Sequence, residues 1–314
     1  MLSRIAESLF WIGRYLERAD STARIVDVHV QRLLEDAWLD EAEACRALLT
    51  VMGVPVADVT AADPRMDRAR LMELLGYDPA SASSIAAALA AARENARRVR
   101  ETVSSELWES LNTTFYGLTG RIRAGSANRF CTWVRERVAT VTGIADTTMS
   151  RDSGYWFLSL GRSLERADMT VRLLSTTALA AGPTWQTMLR SCGAYEAFLR
   201  TYSGGRSGAR SDAQAAEFLL LDRLFPRSVV YSMSTAEGCL AELSPDQRRA
   251  GYGDEALRIL ARTRTQLEFR SPAELLAGLA EEMSRVQQAC SEVSQAVSAR
   301  YFPAVATVSW TAEA

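Results

Sequence analysis

The sequence contains no lysine. All 36 of its basic residues are arginine, and His29 is its single histidine. Without lysine there is no phosphate-loop lysine, no Schiff-base nucleophile and no Ser-x-x-Lys pair, so several common enzyme mechanisms are excluded. One histidine cannot build a His-rich zinc site, and any Ser-His-Asp arrangement has to run through His29. The five cysteines (Cys45, Cys131, Cys192, Cys239 and Cys290) are odd in number and include no CxxC pair. They read as buried thiols of a reducing compartment, not as metal ligands or disulfides. Neither sign of charge is in excess, with 36 arginines against 38 carboxylates in 314 residues. That balance argues against a nucleic-acid binder with a basic footprint over its whole surface. Long hydrophobic runs are also missing. The opening MLSRIAESLFWIGRYLERAD is interrupted by Arg14 and Glu17, and the longest uncharged stretch, residues 173–189, contains Gly182-Pro183. Neither a signal peptide nor a membrane span is expected, and the expected location is the cytoplasm.

What the sequence does have is helical periodicity. Apolar residues recur at i, i+3, i+4 and i+7 over long segments, no run alternates as a half-buried strand would, and 48% of residues are hydrophobic. The expected fold is all-α, a bundle of about ten helices in a single unit spanning 1–314. The spacing predicts helices over residues 2 or 3 to 36, 38–52, 66–75 and 128–146. It also predicts an alanine-rich helix over 81–116 closed by Gly117 and Gly120, a helix capped by Ser153 and running to 181, and one over 183–200. Further helices start near Ala213 and at Pro226, and a last one covers 272–301. The Gly/Ser-rich residues 202–212, the polar residues 245–254 and the tail after Pro303 read as loops or poorly ordered chain.

Comparing the chain with itself reveals a repeat. Residues 13–24, GRYLERADSTAR, and 161–172, GRSLERADMTVR, match at nine of twelve positions with an offset of 148. A second echo sets Asp78-Pro79-Ala80-Ser81 against Phe225-Pro226-Arg227-Ser228. The reading is two halves, about 1–148 and 149–314, related by duplication and a pseudo-twofold.

On a helix at about 100° per residue, Ile12, Tyr15, Leu16, Ala19, Ala23 and Val26 fall on one face. Arg14, Glu17, Arg18, Asp20, Ser21 and Arg24 fall on the other. Arg14 with Glu17 (i,i+3) and Asp20 with Arg24 (i,i+4) are possible pairs within one helix, as are their counterparts Arg162, Glu165, Asp168 and Arg172. The plain reading is a pair of solvated faces with ion pairs of about 0.3–0.5 kcal/mol each. Against it, Met169 and Leu173 lie among the arginines of the second copy, so that helix is apolar all round and its charges are partly buried. If the two helices pack together, Arg14, Glu17, Arg18, Asp20 and Arg24 meet Arg162, Glu165, Arg166, Asp168 and Arg172. Such a set can hold a carboxylate or phosphate through bidentate guanidinium forks. A ferritin-type metal pair needs a Glu-x-x-His motif that neither copy contains, so no metal and no cofactor are expected. Glutamate as a general base is opposed by the adjacent arginines, which lower its pKa.

Other constellations are weaker. Residues 91–112, with Arg93, Glu94, Arg97, Trp108 and Asn112, read as a partly exposed bundle helix or as one wall of a polar cleft. Gly204-Gly205-Arg206-Ser207-Gly208 could wrap an anion but follows a helix and has no lysine. His29 reads as a packed or surface residue, and Phe10-Trp11 and Tyr155-Trp156 as interhelix packing.

Several of these segments together resemble the bacterial alpha-E domain family: MLSRIAESLFWIGRYLERADSTARIV, RENARRVRETVSSELWESLN, MSRDSGYWFLSLGRSLERADMTVRLL, RSCGAYEAF and FPRSVVYSM. The resemblance spans essentially the whole chain. It implies a domain of unknown function whose relatives are encoded beside, or fused to, circularly permuted ATP-grasp proteins and transglutaminase-like peptidases. From that neighbourhood the expected role is a cytoplasmic helical partner of an ATP-dependent peptide or amide-bond ligase, more an accessory than an enzyme. The alternatives are an amide ligase or hydrolase using Glu17 and Glu165 as catalytic carboxylates, and a purely structural scaffold.

Overall fold

The computed structural model describes residues 1–36, 38–54, 66–123, 125–176, 184–202, 212–244 and 253–303. Among them there is no strand, and the fold is all-α as expected, with fourteen α-helical segments and one π-helical turn. The number exceeds ten because three expected helices are split and Glu255–Glu268 forms a further one.

Two long helices form the centre, α1 (Ser3–Glu35) and α7 (Ser153–Ser175). Both are deeply buried, with seventeen residues of α1 buried between Ala6 and Asp27 and seventeen of the 23 residues of α7. The cause of their close approach is a pair of glycines. A methyl group placed on Gly13 would overlap the Leu158 carbonyl oxygen, and one on Gly161 would overlap the Phe10 carbonyl oxygen. The two contacts are reciprocal, their equivalent residues being offset by 148, so the helices cross backbone to backbone at the first residue of each motif. A mid-helix glycine costs about 1 kcal/mol in propensity, and this crossing is the packing that offsets it.

Around this pair the same arrangement occurs twice. Helices α4 (Ile85–Arg98) and α6 (Ala127–Thr148) pack on α1, with α5 (Ser105–Arg123) touching both. Helices α11 (Val229–Leu243) and α14 (Leu279–Tyr301) pack on α7, with α12 (Glu255–Glu268) touching both. The short helices lie between. In the first half these are α2 (Glu41–Val51), α3 (Arg68–Met72) and the π turn Glu73–Tyr77; in the second they are α8 (Trp185–Ser191), α9 (Tyr195–Thr201) and α10 (Asp212–Leu221). Helix α2 reaches across to α7 and α8 to α1, so each central helix is touched by a short helix from the opposite half. The remaining helix, α13 (Pro272–Ala277), precedes α14.

Several expected boundaries are corrected. The 81–116 helix is two helices, because Val99 ends α4 and the Ser104 hydroxyl accepts the Leu107 N–H at 3.1 Å to start α5. Gly117 and Gly120 do not end α5, which runs on to Arg123; at Gly117 the Trp133 ring occupies the side-chain space. Asp152, not Ser153, caps α7 by accepting from the N–H groups of Gly154 and Tyr155. The 183–200 helix divides at Gly193, and the 272–301 helix at Gly278. Residues 203–211, 245–252 and 304–314, which include the Gly/Ser-rich loop, lie outside the described residues.

The second sequence echo is present in a different register. Ser84 and Ser228 cap α4 and α11, accepting from Ala87 and Tyr231 N–H at 3.0 Å each. Each serine hydroxyl also donates to the carbonyl of an aspartate six residues earlier, Asp78 and Asp222. The matching residues are therefore 144 apart, not 147, and Ser83 stands where Arg227 stands in the other half.

Candidate functional site

The charged face of the motif is not solvated. Glu17 is 3% exposed, Glu165 1% and Asp20 4%. Helix α1 therefore has no wet side at the crossing, and the plain reading of two solvated faces is overturned. The partial burial inferred from Met169 and Leu173 holds, as both are buried.

The ion pairs cross between the helices. Glu165 of α7 accepts from Arg14 Nε of α1, and from Arg18 through Nε at 2.6 Å and an amino nitrogen at 3.2 Å. Glu17 of α1 accepts from Arg166 of α7 at 2.5 Å and from Arg227, just before α11, at 2.8 Å. The expected Arg14–Glu17 pair within one helix is replaced by this exchange. The i,i+4 pairs do form: Arg24 Nε donates to Asp20 and Arg172 Nε to Asp168, both at 2.8 Å.

One motif residue departs. Arg162, the counterpart of Arg14, turns to Asp146 at the end of α6 at 3.5 Å and does not bond Glu17. Its place on Glu17 is taken by Arg227, whose guanidinium also bonds Asp20 and approaches the Ser21 hydroxyl at 3.4 Å. Arg227 received no role in the sequence reading; its signal was the echo FPRS, set in a register three residues off.

Electrostatics follow from these partners. Burial alone would raise the Glu17 pKa, but the charges of Arg166, Arg227 and Arg162 outweigh it and hold the carboxyl well below its ordinary value. Burial likewise opposes ionisation of Glu165, and Arg14 and Arg18 reverse it. Both carboxylates stay ionised at neutral pH and are poor proton acceptors. Asp168 moves the other way: burial raises its pKa, Arg172 only partly compensates, and Glu165 adds repulsion.

On one side of the crossing these groups wall a cavity of about 220 Å³. Arg18 and Thr22 line it from α1, and Glu165, Asp168, Met169 and Arg172 from α7. Met52 and Gly53 line it at the end of α2, and Ala82 and Ser83 ahead of α4. Gly53 has φ +75°, which lets the chain turn back at the helix end, where Val54 N–H bonds the Leu49 carbonyl at 3.0 Å. Gly193 after α8, with φ +62°, repeats that turn beside Arg24. Arg172 donates to the Val51 carbonyl at 3.1 Å. One amino nitrogen of Arg18 and one of Arg172 have no partner among the described residues. Two larger hollows, of about 380 and 390 Å³, lie away from the motif residues.

The remaining candidates do not converge on this cavity. Arg93 bonds Asn112 at 2.7 Å and lies over the Trp108 and Phe115 rings, contacts that pack α4 on α5. Phe10 and Trp11 meet edge to face at 5.7 Å and Tyr155 and Trp156 at 5.2 Å, each pair within one helix, and Phe10 also meets the Phe302 ring beyond α14 at 5.6 Å. All five cysteines are free, buried thiols. No helix of the described residues is long and apolar enough to cross a membrane.

The family model for Alpha-E, described as "a predicted alpha-helical domain with a conserved ER motif", matches residues 1–302. The chain belongs to the Alpha-E family. Glu17-Arg18 and Glu165-Arg166 are Glu-Arg dipeptides, and each places its glutamate and its arginine in the crossed pairs of this Alpha-E domain. Similar curated proteins are uncharacterized proteins of Mycobacterium bovis and Mycobacterium tuberculosis, 26% identical over 328 residues, covering 94% of this chain. The chain spans 36% of the length of those relatives. No solved structure matches.

His29 supplies a pH prediction. Burial, and then the charge of Arg32, lowers its pKa from 6.5 to about 4, and its Nε2 is buried without a partner. The folded state thus disfavours the protonated ring. The stability this gives is complete above pH 6.5 and is lost as pH falls toward 4. Urea midpoints of the wild type should begin to fall near pH 6.5, whereas those of His29→Gln should hold to about pH 4.5, where glutamates begin to protonate in the unfolded chain. Parallel pH profiles for the two proteins would refute the assignment.

Proposed function

We propose that this Alpha-E domain is a helical binding protein serving an ATP-grasp-linked system that forms amide bonds on peptides or amino acids. In this reading its cavity receives a carboxylate- or phosphate-bearing ligand of that system. The observation that carries it is the pair of arginines, Arg18 and Arg172, each fixed by a buried carboxylate and each with an unused amino nitrogen, on the wall of one cavity. A guanidinium oriented through its Nε edge and still holding a free donor is suited to an incoming oxyanion. The Arg14, Arg166 and Arg227 pairs hold the two helices together and fix the start of α11 on α1, and the repeated contacts favour an origin of the two halves by duplication.

The partner proposed from the family resemblance is a circularly permuted ATP-grasp protein, with a transglutaminase-like peptidase as a second candidate. The domain would supply binding, and the partner the ATP chemistry. Use of Glu17 or Glu165 as a catalytic base is disfavoured, because each is pinned by two arginines and held ionised.

Equilibrium dialysis with N-acetylglycine and with inorganic phosphate tests the reading. Binding of one of these anions should weaken at least tenfold in Arg18→Lys and in Arg172→Lys, since lysine keeps the charge and loses the planar fork. Full binding in both variants would contradict the role of the arginines. ATP turnover by the purified chain alone, abolished by Glu17→Ala, would contradict the accessory role.

A further inference from the structure

The two halves build the same set of walls but fill them differently. On the side that the second half's Arg227 closes, Asp20 accepts from two guanidinium groups, Arg24 of its own helix and Arg227. The Arg227 carbonyl in turn accepts from the Thr170 hydroxyl at 3.2 Å. In the first half the residue matching Arg227 is Ser83, and that matching Thr170 is Thr22. Asp168, the counterpart of Asp20, accepts from Arg172 alone among the described residues. The Thr22 hydroxyl is fully buried and without a partner, and Thr22 is one of the residues around the cavity. The cavity therefore occupies the side of Asp168 on which the other half has a cationic side chain.

We propose that this cavity, walled by both halves, binds a free α-amino acid as a zwitterion, its ammonium group on Asp168 and Thr22 and its carboxylate on Arg18 and Arg172. The proposal rests on the carboxylate reading above and adds the cationic end. An anion alone would satisfy the two arginines but leave Asp168 and the Thr22 hydroxyl short of hydrogen bonds in a buried setting, where an unmade bond is costly. A cation alone would add to a set in which Arg14, Arg18 and Arg172 already outnumber Glu165 and Asp168. A zwitterion serves both and leaves the net charge of the cluster unchanged. Size agrees with a small ligand, since the cavity measures about 220 Å³. That admits one amino acid and falls below the range of about 300–1,000 Å³ usual for drug-sized ligands. Arg227 is, on this account, the built-in occupant of the matching position in the second half.

The test is equilibrium dialysis of the full chain against three mixtures, with mass spectrometry of what is retained. The first holds the twenty L-amino acids, the second their N-acetyl derivatives (carboxylate only), the third their α-amides (ammonium only). At least one free amino acid should be retained tenfold or more above both of its derivatives. Asp168→Asn should remove that preference over the N-acetyl form. Ser83→Arg, which installs the side chain found in the other half, should abolish retention while the thermal midpoint shows the protein folded. Equal retention of free and N-acetylated forms would overturn the zwitterion and leave the carboxylate reading standing. Equal retention of free acids and amides, or retention of nothing, would overturn both. If Ser83→Arg does not fold, the loss of preference in Asp168→Asn decides the question.

Discussion

Replacing Gly13 or Gly161 with alanine is expected to destabilise the protein by about 3 kcal/mol or more, the upper end of overpacking costs. The reason is where the added methyl would go. At both positions it meets backbone, the carbonyl oxygen of Leu158 or of Phe10, and no flexible side chain can move out of the way. The helices would have to separate, and that separation would lengthen every crossed ion pair between them. Control substitutions exist within the same sequence. Gly120 and Gly143 are helical and face open space, so alanine there should be neutral or stabilising through its better helix propensity. Chemical denaturation of the four variants measures this directly. A cost below 1 kcal/mol at both Gly13 and Gly161 would mean that α1 and α7 do not cross in contact.

Truncating one glutamate of the crossed pairs should be about as damaging. Glu165→Ala leaves Arg14 and Arg18 facing a buried space without their counter-charge, and Glu17→Ala does the same to Arg166 and Arg227. Breaking a buried pair from one side costs about 3–5 kcal/mol, because the remaining charge has lost its water as well as its partner. Removing both sides is a different matter, since a buried pair against an apolar replacement of similar volume is often neutral or stabilising. Arg14→Met combined with Glu165→Leu should therefore recover the share of the loss that belongs to Arg14, leaving Arg18, which is partly exposed, as the cation without its partner. Arg14→Met combined with Glu17→Leu should not, because those two residues are not partners here. Additive losses in the first combination would contradict the exchange of partners between helices.

The contrast between those two combinations shows how far the sequence could be read. Periodicity located the helices, including α1 to within a residue or two, because a 33-residue amphipathic pattern is a strong signal. The repeat located the charged residues of the site. What it could not supply was their partners. An Arg and a Glu three residues apart satisfy the rule for a pair along one helix, and only the approach permitted by Gly13 and Gly161 lets each arginine reach the opposite helix instead. Those glycines were visible as the first letter of each copy, and a costly residue kept mid-helix was the available sign of a close contact. Helix breaks were harder. Val99 and Ser104 look helix-compatible in an alanine-rich run, and the break there depends on the Ser104 cap and on Thr102 bonding the Val99 carbonyl at 2.7 Å. Gly117 misled in the opposite sense, because a neighbouring Trp133 makes the missing side chain useful inside the helix.

Arg227 and Ser83 were the least legible. They lie outside the repeated motif, and their correspondence depends on two serine caps, Ser84 and Ser228, and on the aspartate carbonyls they bond. Once those caps set the register, one residue pair distinguishes a side whose acidic residues are met by the chain's own guanidinium from a side that opens into a cavity. That difference between the two sides is the physical basis for assigning the binding role to the cavity beside Ser83.

A crystal structure of the protein grown with N-acetylglycine tests the central claim most directly. The account predicts the carboxylate in the cavity, within hydrogen-bond distance of both Arg18 and Arg172, with Glu165 and Asp168 still holding those arginines. Side chains of Arg18 or Arg172 folded across the cavity, or the ligand held only elsewhere on the surface, would contradict it.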